Sequence, residues 1–99
     1  MTAKEKTIVA AIRRELELRG CYVVKLHGGA YQPAGLPDLL VVHDGSACFM
    51  EVKKPGSKPS WRQEVEIRKI RNAGVVAAVV TSTEEALYVL GLALKKEKT

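Results

Sequence analysis

The sequence has no long hydrophobic run: its longest unbroken apolar stretch is residues 75–80, far short of the roughly 20 residues that cross a bilayer. The opening residues 1–7 are charged and hold no signal-peptide core, so a cytoplasmic location is expected. Cysteine is scarce as well. Cys21 and Cys48 stand apart, without the CxxC spacing or nearby His of a zinc site, which leaves buried free thiols as the reading. There is no internal repeat, low-complexity tract or linker, and 99 residues leave no room for a second domain, so residues 1–99 read as one.

What is present is ordinary globular composition, 46% hydrophobic and 27% charged, which excludes a disordered or collagen-like chain. Sixteen Lys and Arg against eleven Asp and Glu give a formal charge of +5. That balance points to a polyanionic partner, nucleic acid ahead of an anionic membrane surface.

Periodicity gives an element order. Ile8, Val9, Ile12 and Leu16 recur at helical spacing, so residues 2–19 are predicted helical, with Gly20 as the stop. Residues 21–26 read as a strand, and residues 27–37, with three glycines and two prolines, as the longest loop. Residues 38–42 and 47–53 read as strands paired antiparallel through an Asp44-Gly45 turn. Ser60 opens a second helix ending near Ala73 and Gly74, residues 75–80 form a buried strand, and residues 81–94 form a last helix opened by Ser82-x-x-Glu85. Residues 95–99 are a charged tail expected to fray. The order αβββαβα, a β-meander followed by a helical crossover, predicts an α/β fold: a mixed sheet flanked by helices.

The informative residues lie at the ends of the predicted hairpin. In residues 47–53 alternate side chains share a face, so Phe49, Glu51 and Lys53 project together. Charges two apart in an apolar strand are costly on a dry face, and cease to be so where they hold a metal and a phosphate. Asp38 and Glu51 could bring hard oxygen ligands to Mg²⁺, or equally to Mn²⁺. Lys53 beside them could orient water or stabilise charge on a phosphoester transition state. The plainer alternative is a surface hairpin whose charges are merely solvated.

Gly35-Leu36-Pro37-Asp38, followed thirteen residues on by Glu51-Val52-Lys53, resembles the PD-(D/E)xK nuclease motif. With Glu5 in the first helix, Leu39-Leu40 after Asp38, Phe49 before Glu51, Pro55-Gly56 after it and then Gln63, the chain resembles the virus-type replication-repair nuclease (VRR-NUC) domain over nearly its whole length. The resemblance implies a restriction-endonuclease-like αβββαβ core with an extra C-terminal helix, and a divalent-metal-dependent hydrolase of DNA phosphodiesters, of a kind typically found in phages and bacteria. It implies Asp38 and Glu51 as metal-binding acids, the Val52 carbonyl as a further ligand and Lys53 as the catalytic lysine. It also matches Glu5 to the family's helix-one acid and Gln63 to its glutamine.

Glu5 and Gln63 have a second reading, because Thr2-x-x-Glu5 and Ser60-x-x-Gln63 both fit a capping box. Glu5 nevertheless falls at the centre of the first helix's apolar stripe, and Gln63 shares a face with Ile67 and Ile70, so both point inward. Lys25, His27, Lys54, Lys58, Arg62 and Arg68 are candidate phosphate contacts. Tyr31 and Gln32 could meet a displaced strand, and His43 reads as a turn residue. Trp61 and Val65 lie opposite Gln63, and the leucines of the last helix spread almost around it, so a homodimer through one or both helices is expected. No base-reading motif is recognisable, which favours recognition of branched DNA such as Holliday junctions by shape. Two other readings are a non-catalytic nucleic-acid-binding module with the same fold and a structural adaptor.

Overall fold

The structure is a computed structural model and describes residues 1–26 and 29–98. Seven elements follow one another: α1 (Ala3–Leu18), β1 (Tyr22–Lys25), β2 (Leu39–His43), β3 (Ser46–Val52), α2 (Trp61–Asn72), β4 (Val76–Val80) and α3 (Thr83–Lys98). This is the expected order.

Local chemistry accounts for the helix starts. The Thr2 hydroxyl accepts from the Glu5 amide while the Glu5 carboxylate takes the Thr2 N–H, and Ser60 and Gln63 do the same for α2, so two otherwise unpartnered amides are satisfied at each end. The third box is stretched. Ser82 Oγ accepts from the Glu85 amide at 3.1 Å, but the Glu85 carboxylate passes over Ser82 to take the Thr81 N–H and hydroxyl. α3 also continues through Lys98 where a fraying tail was expected after Leu94. Lys and Glu propagate a helix well once Leu90 and the buried Ala93 anchor the preceding turn.

The four strands form one sheet in the order β1-β2-β3-β4, antiparallel except for the parallel β3-β4 pair. β2 and β3 close from His43 to Ser46 around Asp44 and Gly45, whose φ values of 49° and 80° are both positive. That is the two-residue turn whose twist suits a hairpin. A parallel pair needs a crossover, and α2 supplies it.

α1 and α3 pack on one face of the sheet, and α2 packs against β4 on the other. The core lies under α1 and α3. There Ile12, Leu16, Leu39, Val41, Cys48, Met50, Val80 and Ala86 are wholly excluded from solvent. Burial pushes the Cys48 thiol up to about 12, with Cys21 adding to it, and burial raises Cys21 too, so both are inert as nucleophiles. Because α3 is wedged against β3, β4 and α1, it buries Ala86, Val89, Leu90 and Ala93 and leaves only Tyr88 and Leu92 among its large apolar side chains exposed. Its apolar spread therefore serves mainly the fold of one chain. Over β1, β2 and β3 the second face has no helix of its own among the described residues: Val24, Leu40, Val42, Ala47 and Phe49 are half-buried and Tyr22 is exposed. Among the described residues no helix is long and apolar enough to cross a membrane.

Candidate active site

The strand alternation decides where the charges go. Ser46, Cys48, Met50 and Val52 enter the core, so Glu51 and Lys53 turn to the opposite face, where the first turn of α2 covers them. Leu39 pairs with Met50, so Asp38, one residue before, stands beside Glu51 on the same face. Glu5 reaches in from the first turn of α1. The result is a small cleft of about 120 Å³ lined by Met1, Glu5, Asp38, Glu51, Val52, Lys53 and Gln63.

Each acid is held differently. Asp38 Oδ2 accepts from the Val52 amide at 2.8 Å, which pins the loop before β2 to the end of β3. Glu5 Oε1 accepts from the Thr2 amide at 3.3 Å and Oε2 from the Lys54 amide at 3.3 Å. Glu5 is thus both a capping residue and a tie between α1 and the end of β3. Glu51 Oε2 accepts from Gln63 Nε2 at 2.8 Å and lies 3.7 Å from Lys53 Nζ. Its other oxygen, Oε1, is buried with no hydrogen-bond partner among the described residues.

The electrostatics follow. Burial and then the neighbouring Asp38 push Glu51 up to about 7, against the pull of Lys53. Burial also raises Asp38, though the Val52 amide and Lys53 oppose it. Burial acts on Glu5 in the same sense, but the amides of Thr2 and Lys54 and the Lys53 ammonium outweigh it and hold Glu5 below its ordinary value.

Whether a divalent ion suits these residues can be judged from the donors. An unpartnered, buried carboxylate oxygen is expensive unless a proton or cation meets it, and Glu51 Oε1 is such an atom at the wall of a cleft shared with Asp38. Among the described residues no group of three or more His, Cys, Asp or Glu side chains is placed to hold a metal unaided. Two carboxylates, a backbone carbonyl and water fit Mg²⁺, which keeps several waters and needs no all-protein cage.

Of the residues singled out in the sequence, Glu5, Asp38, Glu51, Val52, Lys53 and Gln63 meet in this cleft. Lys25 pairs with Leu39, which puts it on the α1 side of the sheet, although its charge still reaches Asp38. The side chains of Lys54, Lys58 and Arg62 are exposed outside the cleft, and Arg68 lines a separate groove with Glu64 and Arg71. Tyr31 and Gln32 are exposed on the loop and His43 is half-buried beside Asp44. His27 and Gly28 lie outside the described residues. Two features had no signal in the sequence: the Lys54 backbone amide as partner of Glu5, and the bond from Gln63 to Glu51. Both join residues far apart in the chain.

No family model matches the chain, and no curated protein matches it. Solved structures do. One, a VRR-NUC domain, superposes with a TM-score of 0.77 at 29% identity, over 91% of this chain and 97% of that one. A second, a VRR-NUC domain protein, has the same TM-score of 0.77 at 19% identity, over 96% of this chain and 91% of that one, and shares the fold. Fold and comparisons define a nuclease-type α/β domain. Within that class the chain is similar to VRR-NUC domains over nearly its whole length.

Proposed function

We propose that this domain is a divalent-metal-dependent endonuclease that hydrolyses DNA phosphodiesters. The observation that carries this reading is the meeting of Asp38, Glu51 and Lys53 in one cleft, with a buried Glu51 oxygen that has no partner among the described residues. Asp38, Glu51 and the Val52 carbonyl would hold Mg²⁺ or Mn²⁺, with Glu5 closing that side of the cleft. When bound, the ion supplies positive charge against the scissile phosphate and acidifies a water.

The chain's own groups do the rest. Gln63 fixes the rotamer of Glu51 by donating to Oε2, and the Val52 amide fixes Asp38, so the acids need little reorganisation when phosphate arrives. Lys53 carries its ammonium beside Glu51, where it can donate to a phosphate oxygen or to the attacking water. Lys54, Lys58 and Arg62 are exposed charges outside the cleft that would hold the flanking backbone.

Branched DNA, such as a Holliday junction or a flap, is the proposed substrate class, a reading supported by the lack of a recognisable base-reading motif among the described residues. Two copies suit such a substrate. The half-open sheet face of Leu40, Val42, Ala47 and Phe49, with exposed Trp61 nearby in sequence to the site, offers apolar area for a two-fold contact; light scattering should then report twice the 10.8 kDa of one chain.

The test is cleavage of labelled linear duplex, single strand, flap and four-way junction with Mg²⁺, Mn²⁺ or EDTA, comparing wild type with Lys53→Ala. Metal-dependent cutting lost in the variant is expected. Folded wild type that binds these DNAs and cuts none would make it a non-catalytic binding module.

A further inference from the structure

The geometry points to Gly35 as a positioning residue that acts through the first turn of α2 on Glu51; this rests on the nuclease reading above. Gly35 lies in the loop three residues before Asp38, with φ +87°. A Cβ there would come 2.7 Å from the carbonyl carbon and 2.7 Å from the oxygen of Arg62, and 2.9 Å from the Gln63 nitrogen. All three are backbone atoms, so no side chain can swing aside to make room. Gly45, Gly56 and Gly74 share the left-handed backbone, with φ of 80°, 86° and 98°, yet a Cβ on any of them would meet nothing within 4 Å. Their requirement is conformational, whereas that of Gly35 is also contact.

The turn that Gly35 touches is the one that holds the site. Gln63 N donates to Ser60 Oγ at 3.2 Å and Gln63 Oε1 accepts from Ser60 N at 2.8 Å, so its side chain is fastened to the turn at the amide oxygen. The remaining end, Nε2, donates to Glu51 Oε2 at 2.8 Å. A displaced turn therefore moves Glu51 or breaks this bond. Asp38, on the same loop as Gly35, is tied to β3 through the Val52 amide. The two acids are thus spaced by two routes: the β2-β3 ladder, and the backbone contact of Gly35 with α2.

Calorimetric titration of Mn²⁺ into the protein without DNA tests this. Gly35→Ala is expected to weaken binding about tenfold or more, in the range of lost outer-shell support, while Gly45→Ala changes it less than about twofold. In a Gln63→Ala background, Gly35→Ala should add less than about twofold, because the path it uses is already cut. Equal weakening by the two glycine variants, or an undiminished effect of Gly35→Ala in that background, overturns the proposal. Should Gly35→Ala not fold, amide exchange in metal-free Gln63→Ala decides: the amides of Gly35, Leu36 and Asp38 are expected to exchange about fivefold faster than in wild type, and unchanged rates overturn the coupling. Wild type that binds no Mn²⁺ would remove the nuclease reading and leave the exchange result to decide the coupling by itself.

Discussion

Glu51 is 2% exposed, charged by its chemistry and faced by a second carboxylate, so it should make the metal-free protein sensitive to pH. Its pKa is raised from 4.5 to about 7. Below pH 4.5 the group is protonated both folded and unfolded and costs nothing. As pH rises from 4.5 towards 7 the unfolded state gives up the proton that the folded state keeps, so stability falls, by up to about 3 kcal/mol once pH has passed the folded value of about 7. Asp38, also raised, acts in the same sense. Glu5, lowered, acts oppositely, its stability being lost in acid. Melting temperatures in EDTA should therefore decline between pH 5 and pH 8, and Mg²⁺ should shrink the decline; a flat profile in EDTA would contradict the burial of Glu51. Among the described residues Lys53 is the cation that relieves Glu51, and Lys53→Ala removes it. Turnover is expected to fall on the order of 10²-fold or more while DNA affinity changes by less than about threefold, a split that single-turnover kinetics and filter binding together would show.

At the scale of elements, the caps carry both stability and site. Ser60→Ala deletes the acceptor for the Gln63 amide and is expected to cost about 1 kcal/mol, a drop of about 4–8 °C in Tm for a domain of this size. Most elements were legible because their signals are local. The apolar stripe and Gly20 set α1, Asp44-Gly45 set the hairpin, and the Ser60 box set α2 to within a residue. The alternation in β3 correctly put Glu51 with Lys53. What escaped depends on contacts between distant segments. The leucines of α3 looked surplus because a helix read alone does not show that it will be wedged between α1 and two strands. The open sheet face was hidden because β1 and β2 are apolar on both faces, and only the placement of α2 over β4 decides which face stays uncovered. Glu5 and Gln63 were legible as caps and as inward-facing groups; that each serves both roles required the fold.

The whole molecule carries +5, and that charge should govern how it meets DNA. If Lys54, Lys58 and Arg62 each contact a phosphate, neutralising any one should reduce the slope of log affinity against log salt by about 0.9. Arg14→Gln, on the outer face of α1 in a groove with Arg13 and Glu17, should leave the slope unchanged. Anisotropy titrations between about 50 and 200 mM salt would measure both.

The bonds around the cleft also bear on the order of assembly. Glu5 is joined to Lys54 across 49 positions of sequence, and the Lys53 amide donates to Val80 O at 3.0 Å. The hairpin that bears Asp38 and Glu51 can form early because its contacts are local, whereas the remaining ties wait for loop closure over most of the chain. The candidate active site is therefore among the last parts to be completed. A nascent or truncated chain lacking β4 would hold the acids and the lysine without the cleft that brings them to bear on a phosphate.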